Sequence, residues 1–265
     1  MQPKNLNLSK LPEGEKHEQE IEALAHMLGR LKNSYGQLDY RKTLFLSITS
    51  HELRSPMTPM KAQLQMVLQG YFGKLNKKQK EALNIVLSNT DRLDRLIVDL
   101  LEISRIEADR LKFDFVKINL APYVKGLITE MKGFIPEKNI KLSLKISKSL
   151  IVKTDHDRIM QVLRNLVGNA IKFSKNNSKV IVTAEHKGND ILFSVKDFGI
   201  GIAKEAQARI FQPFFQEEQT MYREYGGTGL GLAICKGIVE AQKGKIWFES
   251  EKGKGTIFYF TIPIK

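Results

Sequence analysis

The sequence is poor in the features that would place it in several large classes. It has one cysteine, Cys235, so no internal disulfide can form and a reducing compartment, the cytoplasm, is expected. No run approaches the roughly 18 consecutive apolar residues of a membrane span. The first residues, MQPKNLNLSKLPEGEKHEQE, lack the apolar centre of a secretory signal. Membrane attachment is therefore expected only through segments absent from this chain. No Gly-Lys-Ser/Thr follows a glycine loop, no Gly-x-Ser-x-Gly elbow occurs, and no His-Glu-x-x-His is present, since position 55 is Ser55. A P-loop, a serine-triad hydrolase and a zinc protease are thereby excluded.

What remains is ordinary globular material: 265 residues, 42% hydrophobic and 27% charged, enough for one large or two small domains. The net charge of +13 permits binding to acidic surfaces. The lysines are dispersed, however, and no nucleic-acid motif is present, so no nucleic-acid partner is expected. Cys235 lies in LGLAICKGIVE, where a lone cysteine is usually a small core residue.

Apolar spacing divides the chain. Residues 1–40 read as a polar tail followed by a coiled-coil linker, with Ile21, Leu28 and Tyr35 in one register and Leu24, Leu31, Leu38 and Phe45 in the other. Residues 41–112 carry two helical series: Leu53, Met57, Met60, Leu64, Val67, then Leu83, Val86, Thr90, Leu93, Ile97, Leu100. Gly70 and Gly73 break them, which predicts an antiparallel hairpin. Its apolar stripe needs cover; a second copy completing a four-helix bundle is preferred to packing against the rest of the same chain, so a homodimer through the hairpin is expected.

Residues 113–265 alternate differently. Strands are expected at 141–147, 178–186, 190–197, 245–250 and 256–262, and helices near 120–132, 156–172 and 229–242, with Asp155 capping the second. The fold class is α+β: a helical hairpin followed by an α/β sandwich whose helices cover one face of a sheet.

Several residues in this frame can carry chemistry. Asn165 and Asn169 share one helix face, with Lys172 a turn on; amide oxygens suit a hard cation such as Mg2+. Asp197, Gly199 and Gly201 follow a strand, where a buried carboxylate can accept from an amino group such as adenine's. Gly226, Gly227, Gly229 and Gly231 lead into a helix whose N–H groups can face phosphate oxygens. Gly253, Gly255 and Thr256 form a tight turn. His51 lies about 160° around its helix from Leu53 and Met60, on the solvent side. Its unprotonated nitrogen can attack phosphorus, with Glu52 adjacent and Pro56 expected to kink the helix. His17, His26, His156 and His186 have no such context.

Each motif alone also fits a plain turn or polar helix face. In order and spacing, HELRSP at 51–56, Asn165-x-x-x-Asn169, Asp197-x-Gly199-x-Gly201, a Phe211/Phe214/Phe215 cluster and Gly227-Thr228-Gly229-Leu230-Gly231 resemble the two-component sensor histidine kinases over about residues 41–265. The resemblance implies ATP and Mg2+ as cofactors, His51 as phosphoacceptor and Glu52 as its acid–base neighbour. It further implies Asn169 with Asn165 as the Mg2+ holders and Lys172 as a phosphate contact. Asp197 would read adenine in a pocket shaped by Gly199 and Gly201, with Thr256 also among the cofactor-binding residues, and residues 212–226 would form a lid ending at Gly227–Gly231. A response-regulator receiver domain is the implied partner. Ser55 stands where many relatives carry Thr or Asn, which bears on regulator dephosphorylation. Gyrase, mismatch-repair and chaperone ATPases share the nucleotide motifs but lack the His51 hairpin, and a non-catalytic adaptor would have lost some of these residues.

Overall fold

The computed structural model describes residues 44–46, 48–133, 139–217 and 227–264. The coiled-coil register assigned to residues 21–38 lies outside them.

Helix α1 (48–68) runs unbroken through Pro56. It ends where Gly70 (φ +87°) and Gly73 (φ +115°) take left-handed backbone angles that a side chain disfavours. Helix α2 (Lys77–Glu107) starts at a reciprocal cap: Asn76 Oδ1 accepts from Gln79 N–H and Gln79 Oε1 accepts from Asn76 N–H, both at 2.9 Å. Lys61–Asp91 at 2.6 Å and Arg54–Asp94 at 3.6 Å join the antiparallel helices across the hairpin.

A second copy is the expected cover of the apolar stripe, but part of α2 is covered by its own chain. Near its C-terminus Ile97 and Ile103 are buried, and Ile103 and Ile106 join the core of the following lobe. Higher up, Leu53, Met60, Val86 and Leu93 remain exposed within one chain.

The second lobe is a five-stranded sheet ordered β2-β4-β5-β7-β6: β2 (Lys141–Ile146), β4 (Lys179–Lys187), β5 (Asp190–Lys196), β7 (Gly255–Pro263) and β6 (Ile246–Glu251). Only the β2–β4 pair is parallel; the other three pairs are antiparallel. Period-two alternation sends Val180, Val182, Ala184, Ile191, Phe193, Val195, Phe258, Phe260 and Ile262 inward. Phe193 and Phe260 stack at 4.5 Å between centroids. Against this face lie α3 (Ala121–Lys132), α4 (His156–Phe173) and α6 (Gly231–Ala241), through Val124, Leu127, Ile159, Leu163, Leu166, Ile234 and Ile238. Each fully buried leucine or isoleucine contributes about 1.5–3 kcal/mol by leaving water.

A two-stranded sheet, β1 (Val116–Asn119) with β3 (Ile151–Thr154), and the short α5 (Lys204–Gln207) complete the lobe. Asp155 caps α4 by accepting from Arg158 N–H at 3.2 Å; its other oxygen accepts from Asp114 N–H at 2.9 Å, anchoring the segment that enters β1.

Candidate active site

The site is built at one end of the sheet, where the loop after β5 meets the C-terminal end of α4. Asp197 is 6% exposed. Its Oδ1 accepts from Gly199 N–H at 2.9 Å and Thr256 N–H at 3.2 Å, leaving Oδ2 for a donor on a ligand. Burial pushes this carboxyl above the ordinary carboxylate range, an effect the two N–H donors oppose.

The glycines around Asp197 permit close backbone approach. A Cβ at Gly199 would lie 2.1 Å from the Phe173 carbonyl oxygen, and one at Gly201 would lie 2.0 Å from that of Glu251. Gly201 also has φ +65°. The loop thus sits directly on the end of α4 and on the β6–β7 turn, with Thr256 beside Asp197.

Asn165 and Asn169, both half-buried, lie one turn apart on α4. The Asn165 amide abuts the start of α6, since a Cβ at Gly231 would sit 3.5 Å from Asn165 Oδ1. It also reaches Cys235, a fully buried thiol that burial pushes up to about 12, which makes it an inert core residue. Lys172 Nζ lies 4.8 Å from the centre of the Phe173 ring and 3.2 Å from where a Gly227 Cβ would be. The glycine segment therefore passes over Lys172.

Gly229 takes φ +73°, and a Cβ there would meet the Phe214 backbone at 2.8 Å. Gln216 Nε2 donates to the Gly227 carbonyl at 3.0 Å. Leu230 is buried at the head of α6, so Gly227 and Thr228 lie just ahead of the helix N-terminus. Residues 218–226 of the expected lid lie outside the described residues. Asn165, Asn169, Lys172, Asp197, Gly199, Gly201, Gly227–Gly231 and Thr256 thus belong to one neighbourhood. It fits a nucleotide: a buried acceptor for an amino group, glycines where side chains would fill the space, and a lysine and a helix N-terminus for phosphates.

His51, Glu52 and Ser55 stand apart from it, on the exposed face of α1. The His51 side chain is 82% exposed, and its Nδ1 faces Glu52 Oε1 across 3.7 Å.

Motif spacing does not reveal what joins the two parts. Glu102 of α2, 7% exposed, pairs with Arg158 Nη1 of α4 and accepts from Gln161 Nε2 at 2.5 Å. Ile106 occupies a hollow over Gly237, where a Cβ would lie 2.6 Å from its methyl groups. The only sign in the sequence is a pair of acids, Asp99 and Glu102, amid an apolar series.

A helical hairpin presenting an exposed histidine is thus joined to an α/β lobe that gathers Asp197, Lys172 and the glycine segment. Comparison with known proteins says which family has this arrangement. Residues 41–109 match the His Kinase A (phospho-acceptor) domain, and residues 154–265 match the histidine kinase-, DNA gyrase B- and HSP90-like ATPase domain. The sensor histidine kinase WalK of Bacillus subtilis (strain 168) is 34% identical over 233 residues, 86% of this chain and 38% of WalK. The full-length ShkA structure in complex with AMPPNP superposes with a TM-score of 0.68 at 30% identity, over 82% of this chain and 45% of that one. The catalytic domain of the histidine kinase ThkA gives 0.50 at 35% identity, over 57% of this chain and 96% of that domain. ThkA in complex with the response regulator protein TrrA gives 0.59 at 27% identity, over 81% and 61%. The chain belongs to the two-component histidine kinase family. It spans less than half the length of the curated relatives it matches.

Proposed function

We propose that this chain is the kinase core of a sensor histidine kinase, which transfers the terminal phosphoryl group of ATP to its own His51. The observation that carries the reading is the pairing of an exposed His51–Glu52 with the Asp197 pocket in one chain. Nδ1 of His51 faces Glu52, which favours the proton on Nδ1 and leaves the Nε2 lone pair free. Nε2 forms the new bond to phosphorus, and the bond from phosphorus to the bridging oxygen breaks. ADP leaves with that electron pair, and the Nδ1 proton passes to Glu52.

The remaining residues position and neutralise, which is most of what phosphoryl transfer requires. Asp197 accepts from the adenine amino group, with Gly199, Gly201 and Thr256 shaping the pocket. Lys172 and the N–H groups of Gly227, Thr228, Gly229, Leu230 and Gly231 meet the phosphates. Asn169 and Asn165 offer amide oxygens to Mg2+, which would neutralise phosphate charge.

Domain limits of 41–112 for the hairpin and 113–265 for the nucleotide lobe suit these roles, with residues 1–40 expected to be an N-terminal tail and coiled-coil linker. The exposed Leu53, Met60, Val86 and Leu93 supply the seam of a homodimeric four-helix bundle. The phosphoryl group passes on to an aspartate of a response regulator docking near His51; the similar kinase ThkA is found in complex with the response regulator protein TrrA. Ser55, four residues on and exposed, has a hydroxyl able to orient a water for regulator dephosphorylation. Use of ATP and a reduced Cys235 are in keeping with a cytoplasmic core; among the described residues no helix is long and apolar enough to cross a membrane.

The test is incubation with labelled ATP and Mg2+. The expected product is an acid-labile, base-stable phosphoprotein, absent in His51→Gln. Label that survives in His51→Gln contradicts the assignment. Light scattering at micromolar concentration is expected to give a dimer.

A further inference from the structure

Among the described residues, a direct hydrogen bond joins the hairpin to the glycine segment. Thr228 Oγ1 donates to Asp99 Oδ2 of α2 at 3.1 Å and accepts from Leu230 N–H at 3.1 Å. One hydroxyl therefore does two things: it shapes the entry to α6 and ties that entry to a residue 129 positions away in the other lobe. Asp99 is half-buried, and burial raises its carboxyl pKa against the opposing effect of the Thr228 bond. The Glu102–Arg158 pair and the Ile106–Gly237 contact, one and two turns further along α2, hold the same interface.

The hairpin register says where this bond falls. Lys61–Asp91 and Arg54–Asp94 fix the antiparallel alignment of the two helices. Carried along both helices at equal rise per residue, those links place residues 97–101 of α2 level with His51. Asp99 is at the middle of that range. The end of the phosphate-binding segment is thus tethered at the axial height of the phosphoacceptor.

We propose that Asp99 is a positioning residue for phosphoryl transfer, holding the glycine segment through Thr228 at the level of His51. It touches neither ATP nor the imidazole and makes no bond in the reaction. Thr228 keeps its bond to Leu230 N–H without Asp99, so the segment's own shape survives the loss. What is lost is its register with the hairpin. The consequence belongs to the rate of transfer at saturating ATP, not to ATP affinity. This inference rests on the reading of His51 as the acceptor.

The experiment measures His51 phosphorylation in the full chain as a function of ATP concentration. In Asp99→Ala the rate at saturating ATP is expected to fall about tenfold, the loss of one charge-assisted hydrogen bond. The half-saturating ATP concentration is expected to stay within about twofold. Asp99→Asn, whose amide oxygen still accepts from Thr228, recovers most of the rate. Thr228→Val loses rate as Asp99→Ala does, and the double variant is no slower than the slower single variant. A second readout needs no activity: in thermal melts the Asp99→Ala and Thr228→Val effects are expected to be less than additive. An unchanged or faster rate in Asp99→Ala, a loss confined to half-saturating ATP, an Asp99→Asn as slow as Asp99→Ala, or strictly additive melts would overturn the proposal. Absence of label on the unaltered chain counts against the kinase reading; label on the unaltered chain with Asp99→Ala unaffected counts against this inference alone.

Discussion

Two glycines with the same backbone angle but different surroundings offer a controlled perturbation. Gly188, in the β4–β5 turn, has φ +60° and nothing within 4 Å of where a Cβ would be. Gly201, in the nucleotide loop, has φ +65°, and its Cβ would lie 2.0 Å from the Glu251 carbonyl oxygen and 2.7 Å from the carbonyl carbon. Alanine at either position incurs the left-handed penalty of about 1–2 kcal/mol. For a chain of this size that lowers Tm by about 2–8 °C, at about 2–4 °C per kcal/mol. Only Gly201→Ala must also move backbone by about an ångström to restore van der Waals contact. Its neighbours are fixed by Gly253 N–H donating to the Ile200 carbonyl and by Ser250 Oγ accepting from Ile202 N–H. Another ~2–3 kcal/mol is expected from that displacement, within the range for overpacking. Scanning calorimetry with and without ATP measures both effects. Gly188→Ala should retain the full ATP-induced rise in Tm, and Gly201→Ala should lose most of it. Equal behaviour of the two variants would refute the claim that loop approach, not backbone angle alone, shapes the pocket.

Further expectations concern other parts of the site. Asp197→Asn keeps an oxygen for the Gly199 and Thr256 N–H groups but turns the second oxygen into a donor, so ATP affinity should fall about a hundredfold by equilibrium dialysis. Because burial raises the Asp197 pKa, the native carboxylate is penalised above that pKa and the penalty disappears on protonation. Unliganded Asp197→Asn should therefore melt higher than the unaltered protein at neutral pH, with the gain shrinking as pH falls toward the ordinary value of 3.8. Asn169→Ala should raise the Mg2+ concentration for half-maximal labelling about tenfold, and chelation should abolish labelling in both proteins. Glu102→Ala leaves the Arg158 guanidinium without its carboxylate and should cost about 2–3 kcal/mol in urea denaturation, while the Glu102→Ala/Arg158→Met pair should recover part of that loss.

Much of this architecture was legible in the residues. Period-two runs marked all five strands of the larger sheet, because one face is buried and the pattern is long enough to read. Asp155 and the Gly70/Gly73 break announced themselves by chemistry that acts within a few residues. The strands VKIN and IVKT did not, since four residues cannot distinguish alternation from chance. The four-residue α5 was missed for the same reason. Within the site, the resemblance of motif order to the histidine kinases links Asn165, Asn169, Asp197 and the glycine segment, each of which alone fits a plain turn or polar helix face. Asp99, Glu102 and Arg158 escaped notice because their partners lie 129 and 56 positions away, and a charged side chain on an amphipathic helix reads as solvent-facing until its neighbour is known. For the same reason the apolar spacing of α2 points to a second copy along its length, whereas its last turns are buried against the nucleotide lobe of the same chain.

Everything proposed for this chain turns on one transfer, that of the phosphoryl group from ATP bound at Asp197 to Nε2 of His51. Phosphorus NMR of the labelled protein under alkaline conditions, with peptide mass mapping, tests it most directly. One phosphoimidazole resonance of the Nε2 type is expected, on the peptide containing His51, and it should grow in at least several-fold more slowly in Asp197→Asn at an ATP concentration just sufficient to saturate the unaltered chain. Phosphate on another side chain, or labelling of His51 at an undiminished rate in Asp197→Asn under that condition, would contradict it.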